Sequence, residues 1–408
     1  MKPSDFCSNV SLPPAARGEA EADRAIIGLS RPVRPVNTAS ASKRPPFARN
    51  LSPKMSHRRL CSAFVCFLAS APFAAGFNIA LNYDYDTYFA THPEAKTSLE
   101  RAAADLSAAI TSPLAAINSD TFTGTVNGTS VTADWRLNVV NPTTGATVTL
   151  QSFVLPANVF TLYVGMRSLT GTTMGQAGPS SAQVGLVNAS GDPVDWTAAV
   201  DKMEATSNAG MSRGDHAPII GAISGSANYG GSPGNFTLPF GPLAGSLWFD
   251  QDTNNDGAID DDATMDAYWH FDSSTPVPGN QRDLYSVALH EMVHTIGAGG
   301  SKTWQTQVSG TSWLGANAIA LNGGSGANLI GGDGSHLSLL LSPRLTDGGL
   351  QEVLMNSTLS SGERKFLTQM DAAILRDLGY TTVPEPSAWI LLAGAAVSCG
   401  VLRRRRHS

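Results

Sequence analysis

The sequence predicts an α+β fold, on three observations. Helical period runs from about Thr91 to Thr111, strand-like runs follow one another from Val131 to Met166, and helical period returns at Asp283 to Gly297 and again from Thr368. Helices and strands thus occupy separate stretches instead of alternating one by one. Cys7, Cys61, Cys66 and Cys399 all stand towards the two ends, so the stretch between has no disulfide framework. It must be held by a hydrophobic core, which a segment of about 300 residues can supply.

Taken in order, residues 1–54 are rich in Pro, Ser, Arg and Ala without apolar period, and read as a disordered or untranslated leader. Residues 55–76 read as a signal peptide. After Met55 come basic His57, Arg58 and Arg59, an apolar run from Cys61 to Ala69, and small residues between Ala71 and Gly76 where cleavage can occur. That run falls short of the roughly twenty apolar residues a spanning helix needs. Charge separates the same regions. The chain has 27 basic and 33 acidic residues, but 15 of the basic and five of the acidic ones precede Phe77 or follow Val383, leaving 12 against 28. A segment at −16 argues against nucleic acid or an anionic membrane as partner and for an exported protein.

From Phe77, Thr91, Pro93 and Glu94 make a helix start, and Leu99, Ala102, Ala103, Leu106 and Ile110 keep its period. Val131 to Val140, Ala146 to Val154 and Val159 to Met166 are β-branched and aromatic, parted by Asn, Pro and Gly, and read as strands. Thr170 to Ser180 and Ser224 to Gly234 are so rich in Gly and Ser that they read as surface loops. Asp250 to Asp262 is the most acidic run. Asp252, Asn254, Asp256, Gly257 and Asp260 follow the spacing of a calcium loop, but Ala263 stands where a bidentate Glu would close it, so calcium and a solvated turn both remain open. His216 and His270 have no partner at ligand spacing and read as ordinary surface or core histidines.

Asp283 to Gly297, DLYSVALHEMVHTIG, carries the chemistry. Asp283 can cap a helix, Leu284, Val287, Ala288 and Met292 recur at helical spacing, and Gly297 can end it. His290 and His294 then share one face and can reach one cation, with Glu291 beside them as a proton acceptor rather than a ligand. Catalytic zinc needs a third protein ligand. From the end of the Gly-rich excursion, which runs from Gly299 to Gly334, the candidates are Asp333, His336, Glu352 and Glu363. His336 is the only histidine left before the tail. A short turn follows at Leu354 to Asn356, and Thr368 starts a helix that stops at Gly379 and Tyr380.

His290, Glu291, His294 and Gly297, then a methionine turn at Met355 and a further helix, resemble in that order the metzincin clan of zinc endopeptidases. HFDSSTP at His270 to Pro276, followed by DLYSVALHE, is similar to matrixin-like members. The usual third histidine would fall at Gly300; the chain is more similar to bacterial exported relatives with an insertion there and a GSH histidine before the methionine turn. The resemblance implies a metallopeptidase domain over 77–382, with a twisted N-terminal sheet, a cleft crossed by the HExxH helix and a smaller, irregular C-terminal part with one helix. It implies a zinc ion on His290, His294 and His336, and Glu291 as the base for a zinc-activated water in the hydrolysis of protein or peptide substrates. Residues 383–408, with Pro384, Glu385 and Pro386, an apolar run from Ala388 to Leu402 and Arg403 to Arg406, resemble a PEP-CTERM sorting tail. That implies export in a Gram-negative bacterium, processing by an exosortase-type enzyme, and a cell-surface or matrix destination. The inner membrane would be touched only through the uncleaved tail. The alternative is a non-catalytic surface or matrix protein keeping the scaffold for binding; Glu291 argues against it, since structural zinc has no use for an adjacent base.

Overall fold

In a computed structural model of the chain, the described residues are 76–118, 122–126, 129–151, 153–188, 213–214, 217–229 and 232–383. The leader, all of the signal peptide but its last residue, the tail after Val383, His216 and the four cysteines lie outside them. The observed class is α+β. In chain order come β1 (Asn78–Asn82), the short α1 (Tyr88–Thr91), α2 (Pro93–Ala109), β2 (Phe122–Val126), β3 (Thr129–Val140) and β4 (Thr147–Gln151). Then follow β5 (Val159–Arg167), β6 (Gly175–Pro179), β7 (Ser181–Asn188), β8 (Gly221–Tyr229), β9 (Ser232–Phe240) and β10 (Ala244–Asp250). The remainder is α3 (Asp262–Tyr268), α4 (Leu284–Thr295), α5 (Lys302–Gln307), α6 (Ala316–Leu321), β11 (Leu341–Pro343), β12 (Leu350–Glu352) and α7 (Gln369–Asp377), with a few two-residue pairings between.

The sheet that positions the site has the order β1, β5, β10, β6. β5 runs parallel to both β1 and β10, and β6 runs antiparallel to β10, with Leu247 opposite Val164 on one side and Ala177 on the other. Along β5, Phe160, Leu162, Val164 and Met166 are buried in alternation, whereas β10 is buried throughout, as befits an inner strand with helices on the sheet. α2 packs on β1 and α4, and α4 packs on β6 and β10, so Leu99, Ala103, Leu106, Leu162, Leu247, Leu289 and Met292 share one core. A second cluster, with Trp135, Leu137, Val139, Ile223 and Leu238, lies under β3 and the β8–β9 hairpin. β3 pairs with β2, β4 and β7, all antiparallel.

Several expectations change. Thr91 does not start α2: it is the last residue of α1, while His92 stands at the N-cap without a side-chain cap and Pro93 takes the first helical turn. Thr170 to Ser180 is not a loop throughout, since it contains β6. A Cβ on Gly175 would come within 2.8 Å of Val287 Cγ1 and 3.2 Å of Glu291 Cγ, so the glycine there serves a strand pressed against α4. The described residues of Ser224 to Gly234 likewise belong to β8 and β9, where Ser224 pairs with Thr237 and Ala227 with Gly234. The C-terminal part carries three short helices, α5, α6 and α7, where one was expected. No helix among the described residues is long and apolar enough to cross a membrane.

Candidate metal centre

α4 is buried along its whole length. Its N-cap, Asp283, accepts from the Ser286 N–H and hydroxyl at 3.1 and 2.6 Å and is paired with Arg364 at 2.7 Å, so the helix start is fixed by charge as well as by capping. At the other end Gly297 has φ +118°, which a side chain would oppose, and donates to the His294 carbonyl at 3.1 Å. The turn it makes brings the Ala298 carbonyl within 3.0 Å of His294 Nδ1. The helix terminator therefore also orients a histidine of the site.

Three imidazoles converge. His290 Nδ1 is 2.8 Å from the Leu354 carbonyl, His294 Nδ1 is held by Ala298, and His336 Nδ1 is 2.6 Å from Asp333 Oδ2. A carbonyl or carboxylate oxygen only accepts, so each Nδ1 carries a proton, which leaves Nε2 as the nitrogen with which a neutral ring can bind a cation. Those Nε2 atoms face one another, 3.0 Å between His290 and His294 and 3.2 Å between His294 and His336. Burial pushes the His290 ring well below its ordinary pKa, with His294 and His336 adding to the shift, and burial with His336 lowers His294 to about 3. Neutral lone pairs at this spacing repel unless a cation sits among them. Tetrahedral zinc with bonds of about 2.0–2.1 Å holds its ligand nitrogens about 3.3 Å apart, so the donor set fits that ion. Among the described residues this is the only group of three or more His, Cys, Asp or Glu with converging donor atoms, all within 4.8 Å.

His336 is brought in from 42 residues away. Ser301 caps α5, the rings of Trp304 and Trp313 pack with centroids 4.8 Å apart, and Trp304 Nε1 donates to the Gly334 carbonyl. Gly331 N–H donates to the His336 carbonyl, and Leu337 N–H to that of Met355. The turn at Met355 thus ties two of the three histidines: its Leu354 carbonyl orients His290 and its Met355 carbonyl holds the residue after His336. Asp371, in the capping box of α7, fixes that turn by accepting from Leu354 and Met355 N–H at 3.0 and 3.1 Å. Met355 is fully buried.

The remaining candidates fall elsewhere. Asp333 bonds the far nitrogen of His336, Glu352 pairs with Lys365 at 2.9 Å, and Glu363 accepts from Ser360 N–H. Burial works to raise the Asp333 carboxyl, but hydrogen bonds from His336 and from the Ser335 and His336 backbone hold it well below the usual range. His270 stands apart from the trio, 3.3 Å from the Thr275 carbonyl. Glu291 is fully buried, its Oε1 3.3 Å from where a Cβ on Gly175 would stand, which places it between α4 and β6. Sequence reasoning passed over Gly299. Its φ is +81°, and a Cβ there would lie 2.8 Å from His294 Nδ1 and 2.9 Å from the Ser335 carbonyl; the signal was a glycine two residues past the helix terminator.

The acidic loop bends as its spacing suggests, with Asp252 accepting from Asp256 and Gly257 N–H, yet its carboxylates do not gather as a trio of donors. Asp250, buried at its start, accepts from Leu169 and Asp252 N–H, and burial pushes its carboxyl up to about 6. Compared with known proteins, the chain matches no family model, no curated protein and no solved structure, so the reading of this site rests on its own geometry.

Proposed function

We propose that this chain is a zinc-dependent endopeptidase of metzincin type that hydrolyses extracellular protein or peptide substrates. The observation that carries the reading is the convergence of three Nδ1-anchored histidines, the first of them followed in the helix by a buried glutamate. His290, His294 and His336 would hold the metal. Zinc, when bound, supplies Lewis acidity to a water and to the scissile carbonyl. Glu291 takes the proton from the attacking water and returns it to the leaving amine, a task for which a carboxylate beside the first ligand is placed and a neutral side chain is useless. A carboxylate that follows directly on the first histidine serves a base and has no use at a structural zinc, which favours catalysis over a binding scaffold. Export and a PEP-CTERM tail processed by an exosortase-type enzyme complete the proposal. Glu291→Gln tests it: zinc content and fold should persist while cleavage of a general protein substrate drops by about a hundredfold or more. Undiminished proteolysis by the variant would remove Glu291 from the chemistry, and absence of proteolysis by the zinc-loaded wild type would remove the endopeptidase reading.

A further inference from the structure

Two of the three histidines are oriented by neutral backbone carbonyls, Leu354 for His290 and Ala298 for His294. The third is not. His336 Nδ1 donates to a carboxylate, Asp333 Oδ2, at 2.6 Å, the shortest of the three contacts. Asp333 Oδ1 meanwhile accepts from Ser335 N–H at 2.9 Å and from His336 N–H at 3.1 Å, so one side chain fixes both the turn that presents the ligand and the ring itself. The turn stands at the close of the excursion from Gly299, where Trp304 Nε1 grips the Gly334 carbonyl and Gly331 N–H bonds the His336 carbonyl. His290 and His294 need no such device because α4 holds both on one face.

We propose that Asp333 is the positioning residue of the metal centre, its charge strengthening and aiming His336 as a ligand so that metal affinity depends on a side chain that never touches the ion. A carboxylate accepting the far N–H of an imidazole raises the basicity of the near nitrogen and locks the tautomer, and such partners are worth about 10–100-fold in metal affinity. The inference rests on the zinc reading above. It makes the ligand supplied by the excursion the one whose strength is tuned by charge, while the two on the helix are tuned by burial.

The test uses the full chain, with zinc and a competing chelator as the probe. Asp333→Asn keeps an oxygen able to accept from Ser335 and His336 N–H and removes the charge, whereas Asp333→Ala removes the turn as well. The zinc dissociation constant should rise about 10–100-fold in Asp333→Asn. The metal-free variant should unfold at the wild-type temperature, and the rise in Tm on adding zinc should shrink, because ligand stabilisation follows affinity. A structural role alone would move the metal-free Tm and leave the zinc-dependent rise intact. An Asp333→Asn dissociation constant within twofold of wild type would overturn the proposal and leave the three-histidine site standing. Wild-type protein that takes up no zinc would overturn both.

Discussion

At the scale of single residues, the site depends on what stands behind each imidazole as much as on the imidazoles. Gly299 shows this: its backbone lies so close to His294 Nδ1 and the Ser335 carbonyl that any Cβ intrudes on both, and its positive φ adds about 1–2 kcal/mol for an L side chain. Gly299→Ala should therefore lower unfolding free energy by at least that much and weaken zinc binding tenfold or more. Urea unfolding with chelator competition checks it; wild-type values for both would show that the close approach is not needed. His290 and His294 were legible in the sequence because a four-residue helical spacing converts directly into one face. The partners of their rings were not, since Leu354 lies 64 residues from His290 and nothing local announces a carbonyl acceptor.

Among the elements, α4 is the one whose start and stop both matter to the chemistry. Asp283 is wholly buried, caps the helix and pairs with Arg364. Losing one partner of such a pair leaves the other charge uncompensated, so Asp283→Ala should cost about 3–5 kcal/mol in urea unfolding. A loss under about 1 kcal/mol, the scale of an exposed ion pair, would show that the pair is screened by solvent. The helices α2, α4 and α7 and the strands β3, β4 and β5 were legible from period and texture, whereas the short α1, α3, α5 and α6 were not. β6 was not, because its glycine is selected by contact with α4 rather than by strand propensity. The order within the excursion was hidden for a similar reason: Trp304 and Trp313 anchor it to Gly334 and Asp377, 30 and 64 residues on.

For the molecule as a whole, the α+β class was legible in the separation of helical from strand-like stretches, and the sheet order was not, since β10 is buried on both faces and shows no alternation. Its end carries a pH dependence. Asp250 has a folded-state pKa near 6 against an ordinary 3.8, so between those values the folded protein keeps a proton that the unfolded chain has released. Stability from this group is full below about pH 4 and lost as pH rises through 6, by up to about 3 kcal/mol. The stability of wild type relative to Asp250→Asn should therefore fall from pH 4 to pH 7, and a constant difference would remove the effect. The proposed function depends on one zinc held by three histidines from two distant parts of the chain. Metal analysis of the purified protein tests it most directly: wild type should hold about one zinc per chain, and His336→Ala, folded but with two ligands, should lose it on dialysis against a mild chelator. Full zinc retention in that variant, or no zinc in the wild type, would rule out the three-histidine site.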